Sequence, residues 1–235
     1  MNEIPPVAVL AGGLATRLRP RTETVPKAML EVAGEPFVAH QLRLLRREGV
    51  RRVVLCVGFL GEQIAEFVGD GEQFGLEVIH RADGSRLLGT GGALRAACDD
   101  LGDEFLVLYG DSWLDECYAP IVAAFRAAGQ PALMTVFRNE GSWDRSNVWF
   151  EGGRIKVYDK RLRLPEMRYI DWGLGMIRAE ALAAHPLGEA FDLGDFYRDL
   201  ARTGRLAGHE VATRFYEIGS EDGLRETDAL LREGR

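Results

Sequence analysis

Cationic side chains follow a glycine pair near the start of the chain, and this arrangement suits a phosphate group. Gly12 and Gly13 end the short apolar run 7–10, and four cations come after them, namely Arg17, Arg19, Arg21 and Lys27. Glycine tolerates positive φ angles, so the loop can turn its backbone N–H groups outward. Bare amides combined with fixed positive charge bind polyphosphates. The stretch therefore predicts a phosphate-binding loop, and the alternative is a merely solvated basic loop.

Two better-known glycine loops do not match this spacing. A dinucleotide-binding fingerprint reads G-x-G-x-x-G, but the residues from Gly12 to Arg17 include no third glycine. A Walker A loop carries Gly-Lys followed by Ser or Thr, and the corresponding place holds arginine and leucine. Lys27 stands farther along the chain, so we expect it to return to the loop from a separate turn.

A carboxylate ends a later apolar strand. The run 105–109 is followed by Gly110 and Asp111, and an acid at that place is costly to bury without a partner. Capping of the next turn is an alternative role, since aspartate is a favoured cap. A D-x-D pair of the glycosyltransferase kind is absent, because residue 113 is tryptophan. Asp111 is therefore a candidate for chemistry at the carboxyl end of a strand.

The order of apolar runs predicts the fold. Runs at 7–10, 53–57, 76–80, 105–109 and 132–137 are typical of strands, and helical segments lie between most of them. This alternation predicts a three-layer, Rossmann-like α/β fold on a mixed, mainly parallel sheet, with ligands at the carboxyl ends of the strands. Over residues 146–177 the pattern changes to short β pieces, with a predicted hairpin turn at Gly152 and Gly153. With 235 residues, a single domain (1–235) is expected.

The composition argues against several classes of partner and site. A formal charge of −7 disfavours nucleic acid and anionic membranes as general partners, and no apolar run approaches the ~20 residues that cross a membrane. The three cysteines are widely spaced, so we expect a reduced, cytoplasmic protein without disulfides. The four histidines share no ligand-like spacing, which argues against a zinc site.

The N-terminal stretch also resembles the signature of a known enzyme family. It reads L-A-G-G-x-x-T-R-L-x-P from Leu10, V-P-K-x-M-L from Val25 and G-x-P from Gly34. This is similar to the sugar-1-phosphate nucleotidylyltransferases, especially short single-domain members such as the D-glycero-D-manno-heptose 1-phosphate guanylyltransferases. The resemblance implies an enzyme that joins a nucleoside triphosphate to a sugar 1-phosphate, with Mg²⁺, and releases pyrophosphate. It also implies a nucleotide-binding region (about 1–137), a sugar-binding region (about 138–219) and a C-terminal helix (220–235), without the C-terminal β-helix of longer relatives.

The same resemblance assigns residues to the nucleotide side. It implies catalytic roles for Arg17, Lys27 and Asp111, and nucleotide-binding roles for Leu10, Ala11, Gly12, Gly13, Thr16, Gly89, Thr90 and Gly91. The last three form a second glycine cluster, which has an alternative interpretation as a plain helix start. Just before it, Arg86 and Leu87 stand where relatives often show an acidic residue and proline, and this departure leaves the base open.

On the sugar side and at the metal the resemblance implies further roles. Lys160 would hold the acceptor phosphate, and the sugar would be bound by Asp171, Trp172 and Gly173. Three tryptophans, Trp143, Trp149 and Trp172, are candidates to stack on a sugar ring, with core packing as the alternative, and Trp172 is favoured because it lies within the motif. Asp171 replaces a commoner asparagine, and its carboxylate still accepts hydrogen bonds from vicinal hydroxyls. The implied metal ligands are Asp111 and Glu217, where glutamate replaces a commoner aspartate. Mg²⁺ favours one or two carboxylates together with phosphate oxygens.

The identity of the substrates stays open at this point. The expected partners are a nucleoside triphosphate and a sugar 1-phosphate, with GTP and a heptose- or mannose-like phosphate favoured over a UTP- or CTP-dependent reaction. One alternative is a catalytically silent relative that binds a nucleotide-sugar and regulates another protein, although the retained Arg17, Lys27 and Asp111 argue against it. Another is a glycosyltransferase, against which the missing D-x-D argues. The oligomeric state is open, with a homodimer as the assembly considered.

Overall fold

The computed structural model describes residues 3–84 and 86–234. The strands are β1 (Val7–Ala11), β2 (Glu31–Val32), β3 (Glu35–Pro36), β4 (Arg52–Val57), β5 (Glu77–Ala82), β6 (Glu104–Tyr109), β7 (Ser112–Trp113), β8 (Ala132–Arg138), β9 (Val148–Glu151), β10 (Arg154–Tyr158), β11 (Tyr169–Arg178), β12 (Leu206–Val211) and β13 (Tyr216–Glu217). The α-helices are α1 (Phe37–Arg47), α2 (Gly61–Val68), α3 (Gly89–Leu101), α4 (Tyr118–Ala128), α5 (Ala179–Leu182), α6 (Leu193–Arg202) and α7 (Glu221–Glu233).

A nine-stranded mixed sheet organises this part of the chain, in the order β5-β4-β1-β6-β11-β8-β12-β10-β9. β1 pairs in parallel with both β4 and β6. β11 and β10 run opposite to the strands beside them. Parallel strands joined through helices place their carboxyl ends at one edge. The structure therefore confirms the predicted α/β fold on a mixed sheet.

Helices pack on both faces of this sheet, because its strands alternate apolar side chains between the two sides. In β1, Val7 and Val9 join a core formed with α1, α2 and α4, whereas Ala8 joins a core formed with α3, α5 and α6. α1 is amphipathic, with Leu42 and Leu45 buried and its arginines exposed. Within residues 3–84 and 86–234, none of the helices has the length and apolar character needed to span a membrane.

The second half of the chain contributes more to the main sheet than its sequence pattern indicates. The hairpin of β9 and β10 is present as predicted, but β11 is a ten-residue strand that lies between β6 and β8. Gly173 and Gly175 interrupt its apolar pattern, and the register against β8 shifts between Asp171 and Gly175. Glycine and irregular register both weaken a strand signal. The expectation of only short β pieces here is therefore wrong.

A small ribbon outside the main sheet connects the two halves of the chain. β7 follows β6 directly and pairs with β13, so that Ser112 lies opposite Glu217 and Trp113 opposite Tyr216. The N–H of Ile218 donates to the carbonyl of Asp111 at 2.9 Å. The predicted C-terminal helix is α7, and the side chain of its N-cap residue Ser220 accepts from the N–H of Gly223. The ribbon brings residue 217 to the carboxyl end of β6.

Candidate active site

A cavity of about 270 Å³ opens where β1, β4 and β6 end. Its lining is Leu10, Ala11, Gly12, Gly13, Leu14, Lys27, Ala28, Cys56, Asp83, Leu87, Gly89, Thr90, Ala93, Tyr109, Gly110 and Asp111. The walls approach closely at Gly110, where a Cβ would lie 2.9 Å from the carbonyl oxygen of Leu10. Only glycine fits such a distance without a shift of backbone. The predicted first loop therefore lines a real concave site.

Lys27 reaches this cavity from a separate turn, as the spacing predicts. It begins the short 3₁₀ helix Lys27–Met29, and its Nζ donates to Oδ2 of Asp111 at 2.8 Å. Both side chains are about four-fifths buried, with 20% and 23% of their surface exposed. A charge-assisted hydrogen bond in partly buried surroundings is stronger than a surface ion pair. This hydrogen bond fixes the positions of both side chains in the lining of the cavity.

Gln41 of α1 holds the turn that carries Asp111. Its buried amide donates from Nε2 to the carbonyl oxygens of Tyr109 and Ser112, at 3.0 and 2.7 Å. These carbonyls lie on either side of Gly110 and Asp111, so the turn is tied to the helix at both ends. Nothing in the amphipathic pattern of α1 identifies this glutamine as a supporting residue, and sequence reasoning missed it.

Glu217 and Arg17 complete a charged cluster with Lys27 and Asp111. Burial raises the pKa of the Glu217 carboxyl, the charge of Asp111 raises this pKa further, and Arg17 and Lys27 act in the opposite direction. A Cβ at Gly219 would lie 2.7 Å from Oε2 of Glu217 and 3.3 Å from Nη2 of Arg17, which shows that both groups reach the same spot. Arg17 does not line the 270 Å³ cavity and stands on the Glu217 side of the cluster.

The two acids of this cluster fit a magnesium ion. Glu217 lies opposite Ser112, the residue after Asp111, and burial followed by the negative charge of Asp111 raises the pKa of its carboxyl. Mg²⁺ binds through one or two carboxylates and takes its remaining oxygens from water and phosphate. Across the described residues, no group of three or more His, Cys, Asp or Glu side chains is arranged to hold a metal ion. The donor set therefore suits a cation that a polyphosphate helps to bind.

The second glycine cluster is only in part directed at the cavity. Gly89 and Thr90 line it, and the Thr90 hydroxyl accepts from the N–H of Leu193 at 2.8 Å. Gly91 has another role, because its N–H donates to the carbonyl of Phe191 at 3.0 Å and a Cβ there would lie 2.2 Å from the Phe191 ring. The prediction for Gly91 is corrected on this ground, since its amide is already satisfied and covered.

Some residues of the nucleotide side differ from the sequence-based set. Thr16 is exposed and does not line the cavity. Asp83, which follows β5, and Tyr109, at the end of β6, do line it and were missed. Burial raises the pKa of the Asp83 carboxyl, which accepts from the N–H of Leu88 at 3.3 Å. The rule that ligands collect at strand carboxyl ends was the available signal for both residues.

Asp171 is held by hydrogen bonds from within the protein. Its carboxylate accepts from the Gly173 N–H at 3.0 Å and from the Tyr158 hydroxyl at 3.3 Å. Burial raises the pKa of this carboxyl, and the charge of Lys160 opposes the rise. Burial also raises the pKa of the Tyr109 phenol, and the next contribution comes from Asp171. Tyr109 lines the cavity, whereas Asp171 does not, so the sugar-binding role of Asp171 stays a prediction.

One asparagine, Asn147, and one aspartate, Asp159, shape the loops of the predicted sugar-binding region. Oδ1 of Asn147 accepts from the N–H of Asp171 at 3.0 Å. The Asp159 carboxylate accepts from the backbone N–H of Leu162 at 2.9 Å, one of the bonds that lower its pKa. That turn leaves the Lys160 side chain exposed. Asp159 thus folds the loop, and the side chain of the neighbouring Lys160, which is predicted to bind a phosphate, is exposed to solvent.

Trp172 does not face the site, and the prediction that it stacks on a sugar is wrong. Its side chain is 1% exposed and belongs to the core under α1 and α4. Nε1 donates to the carbonyl of Thr213 at 2.8 Å. Successive residues of a strand point to opposite faces. Asp171 contacts the Tyr158 hydroxyl, and Tyr158 belongs to the core on the other face of the sheet, so the next residue, Trp172, points into the core formed with α1 and α4.

Residues 7–145 match the sequence profile of the family described as nucleotidyl transferase, and this span exceeds half of the chain. The protein therefore belongs to the nucleotidyl transferase family. The family predicted from the N-terminal stretch is confirmed.

Curated relatives carry the names of sugar-phosphate enzymes. The chain is 28% identical over 236 residues to N-acetylmuramate alpha-1-phosphate uridylyltransferase of Neisseria meningitidis serogroup B, covering 94% of this chain and 96% of that one. It is 28% identical over 213 residues to UTP–glucose-1-phosphate uridylyltransferase of Synechocystis, covering 83% of this chain but only 55% of the relative. It is 38% identical to glucose-1-phosphate thymidylyltransferase of Streptomyces antibioticus over 67% of this chain, and spans 45% of that enzyme.

A solved structure shares the fold over the whole chain. HddC from Yersinia pseudotuberculosis complexed with GMP-PN superposes with a TM-score of 0.83 and 20% identity, covering 97% of this chain and 100% of that one. A likeness at this identity concerns the fold alone.

We predict that Trp172→Phe lowers stability without affecting the binding of a sugar phosphate. The substitution removes a buried hydrogen bond and part of a packed ring, which costs about 1–3 kcal/mol in the free energy of unfolding. Denaturant unfolding measures this loss, and steady-state kinetics measures the KM for the sugar 1-phosphate. Unchanged stability together with a raised KM would show that Trp172 contacts the sugar after all.

Proposed function

We propose that the protein transfers a nucleotidyl group from a nucleoside triphosphate to a sugar 1-phosphate, giving an NDP-sugar and pyrophosphate. The observation that carries this proposal is the charged cluster of Arg17, Lys27, Asp111 and Glu217, of which Lys27 and Asp111 line a cavity built from glycine loops. Such a cluster is suited to two anionic reactants that must approach each other. The names of the relatives agree with this class of reaction.

The proposed step is an in-line attack of a sugar-phosphate oxygen on the α-phosphorus, with pyrophosphate as the leaving group. The P–O bond to the incoming sugar phosphate forms as the bond to pyrophosphate breaks. A phosphate monoester has a second pKa of ~6, so the nucleophile is already largely ionised at neutral pH and needs no general base. The site has to supply positioning and charge stabilisation.

Each cation of the site has a proposed role. Arg17 acts on the triphosphate, Lys27 holds the reacting phosphates, and Lys160 holds the acceptor phosphate on the sugar side. Asp111 and Glu217 would hold Mg²⁺, which supplies positive charge to neutralise phosphate oxygens when bound. The nucleotide-binding region (about 1–137) binds the triphosphate. The sugar-binding region (about 138–219) binds the acceptor, with Asp171 accepting from its hydroxyls.

GTP is the triphosphate that we propose, with a heptose- or mannose-like 1-phosphate as acceptor. A carboxylate only accepts hydrogen bonds, and guanine presents two adjacent donors, N1–H and the 2-amino group. Asp83 lines the cavity with a partly buried carboxylate that could accept both. Uracil presents a single donor, N3–H, between two carbonyl oxygens, so it would make only one such hydrogen bond and turn a carbonyl oxygen towards the same carboxylate. The alternative is UTP, which the name of the full-length Neisseria relative favours.

Two other functions remain as rivals, and product analysis separates them. A silent nucleotide-sugar-binding relative would bind a nucleotide but release no pyrophosphate with any pair of substrates. A glycosyltransferase would transfer or hydrolyse the sugar of a finished NDP-sugar without pyrophosphate chemistry. The retained Arg17, Lys27 and Asp111 argue against the silent relative, and the missing D-x-D argues against the glycosyltransferase.

We expect pyrophosphate release when four nucleoside triphosphates are screened against a panel of sugar 1-phosphates. Arg17→Ala should lower kcat by about 10²–10³, because single preorganised donors contribute on this order. Arg225→Ala is the matched control, since Arg225 lies on α7 and pairs with the exposed Asp222. Absence of pyrophosphate with every pair, despite nucleotide binding, would contradict the proposed function.

We expect Asp83→Asn to change the choice of base. An amide offers one donor and one acceptor, so the variant loses the match to guanine and gains one to uracil. A lost bidentate contact costs about 1–3 kcal/mol, and kcat/KM for GTP should fall about ten- to hundredfold relative to UTP. Asp99→Asn, on the exposed side of α3, is the control. An unchanged GTP to UTP ratio would remove Asp83 from base selection.

A further inference from the structure

The hydroxyl group of Thr90 joins the start of α3 to the start of α6. Its Oγ1 accepts from the N–H of Leu193 at 2.8 Å and donates to Oδ2 of Asp192 at 3.3 Å. The backbone beside it is joined as well, because the N–H of Phe191 donates to the carbonyl of Leu88 at 3.1 Å. Residues 102 positions apart in the sequence thus meet at the wall of the cavity that contains Thr90.

The chemistry of these two partners fixes where the hydroxyl hydrogen of Thr90 points. A hydroxyl has one hydrogen and two lone pairs, a backbone N–H only donates, and a carboxylate only accepts. The hydrogen therefore points at Asp192, and one lone pair is occupied by the N–H of Leu193. Within residues 3–84 and 86–234, this hydroxyl has no third hydrogen-bond partner. A single lone pair remains, so the Thr90 hydroxyl can only accept a hydrogen bond from a ligand in the cavity.

Asp192 divides its two carboxylate oxygens between separate partners. It is the N-cap residue of α6, and its Oδ1 accepts from the N–H of Gly194 at 2.7 Å. Capping needs a single acceptor atom, and asparagine serves it as well as aspartate. The cap therefore accounts for Oδ1 but not for the contact of Oδ2 with Thr90. This second oxygen orients the Thr90 hydroxyl.

Asp83 lines the same cavity close to Thr90. Its Oδ2 accepts from the N–H of Leu88 at 3.3 Å, and Leu88 stands two residues before Thr90. Under the proposed function, the Asp83 carboxylate accepts the N1–H and one hydrogen of the 2-amino group of guanine. The amino group has a second hydrogen in the plane of the base. That hydrogen needs an acceptor beside Asp83.

We propose that Asp192 is a positioning residue for base recognition, because it presents the Thr90 hydroxyl as an acceptor for the second hydrogen of the guanine 2-amino group. The inference rests on the proposed function, which places guanine against Asp83. A base with a carbonyl oxygen at this place, as in uracil, finds no donor in Thr90. Asp192 thus favours guanine without touching it, through a hydroxyl whose direction it controls.

Isothermal titration calorimetry with GTP and inosine triphosphate tests this role, because the two nucleotides differ only in the 2-amino group. In Asp192→Asn, the amide oxygen caps α6 and the NH₂ group donates to Thr90, so the Thr90 hydrogen turns towards the base. The affinity for GTP relative to inosine triphosphate should fall about three- to tenfold, as loss of one hydrogen bond does. The affinity for inosine triphosphate itself should stay nearly constant.

Asp195→Asn is the matched control. It makes the same charge change in the first turn of α6, at a residue paired with Arg198 at 2.7 Å. Asp195 has no contact with Thr90, whose hydroxyl is bonded to Asp192 and Leu193. The control should bind GTP and inosine triphosphate in the same ratio as the unmodified protein.

A double-mutant cycle shows whether Asp192 acts through Thr90. Thr90→Val keeps the shape of the side chain, removes the hydroxyl and should lower the same affinity ratio. In the Thr90→Val background, Asp192→Asn should cause no further change in this ratio. A residue that merely stabilises α6 would instead weaken the binding of both nucleotides equally. Circular dichroism verifies that all variants are folded at the temperature of the titration.

The outcomes separate this inference from the function on which it rests. An unchanged affinity ratio in Asp192→Asn, or an equal change with and without Thr90→Val, overturns the inference. A loss that is abolished with 2′-deoxy-GTP but persists with inosine triphosphate moves the contact to the ribose and overturns the assignment to the amino group. Tighter binding of UTP than of GTP by the unmodified protein overturns both this inference and the choice of GTP. The transfer reaction itself stands or falls separately, on pyrophosphate release.

Discussion

Repulsion between two carboxylates held side by side is the constraint that the architecture has to support. Asp111 and Glu217 come from opposite halves of the chain and meet through the pairing of β7 with β13. Burial and the charge of Asp111 raise the pKa of Glu217, so the arrangement is electrostatically unfavourable on its own. Lys27, bonded to Asp111 at 2.8 Å, and Arg17 offset part of this repulsion. A site with this balance has a physical reason to attract a divalent cation together with a polyanion.

Rigid elements hold this arrangement in place at several points. Gln41 connects the turn that contains Asp111 to α1, and the Ile218 N–H donates to the Asp111 carbonyl. β11 contributes to both sides of the sheet, because its alternating side chains direct Asp171 towards the Tyr158 hydroxyl and Trp172 into the core formed with α1 and α4. Precise placement of charged groups by packed strands and helices is what preorganised catalysis requires. The same strand therefore contributes to the cores on both faces of the sheet.

Much of this arrangement can be predicted from the sequence, and the failures have physical causes. Apolar runs and glycine pairs identify β1, β4 and β6 and the cavity at their ends, since buried parallel strands have a strong local signal. The local signal of β11 is weak because Gly173, Gly175 and a shift of register interrupt it. Its role in the sheet follows from long-range pairing that no local pattern shows.

Errors at single residues arise in the same way. Trp172 lies within a sugar-binding motif, but the alternation of strand side chains places it in the core, and this depends on knowing that the segment is a strand. Gly91 belongs to a glycine cluster, yet its amide bonds to Phe191, a residue far away in the sequence. The supporting role of Gln41 was missed because its hydrogen bonds to the carbonyl oxygens of Tyr109 and Ser112 are formed only in the folded chain. Arg17, Lys27 and Asp111 form a single charged cluster with Glu217, and their roles in a reaction remain a proposal.

The stereochemical course at the α-phosphorus tests most directly whether the charged cluster forces two phosphates into one direct displacement. The measurement uses a single diastereomer of the α-thio analogue of the preferred triphosphate, with the sugar 1-phosphate that it accepts. Phosphorus NMR of the NDP-sugar product then gives its configuration. The account predicts inversion. Retention would require two successive displacements through a covalent nucleotidyl-enzyme, and it would contradict direct attack by the acceptor phosphate.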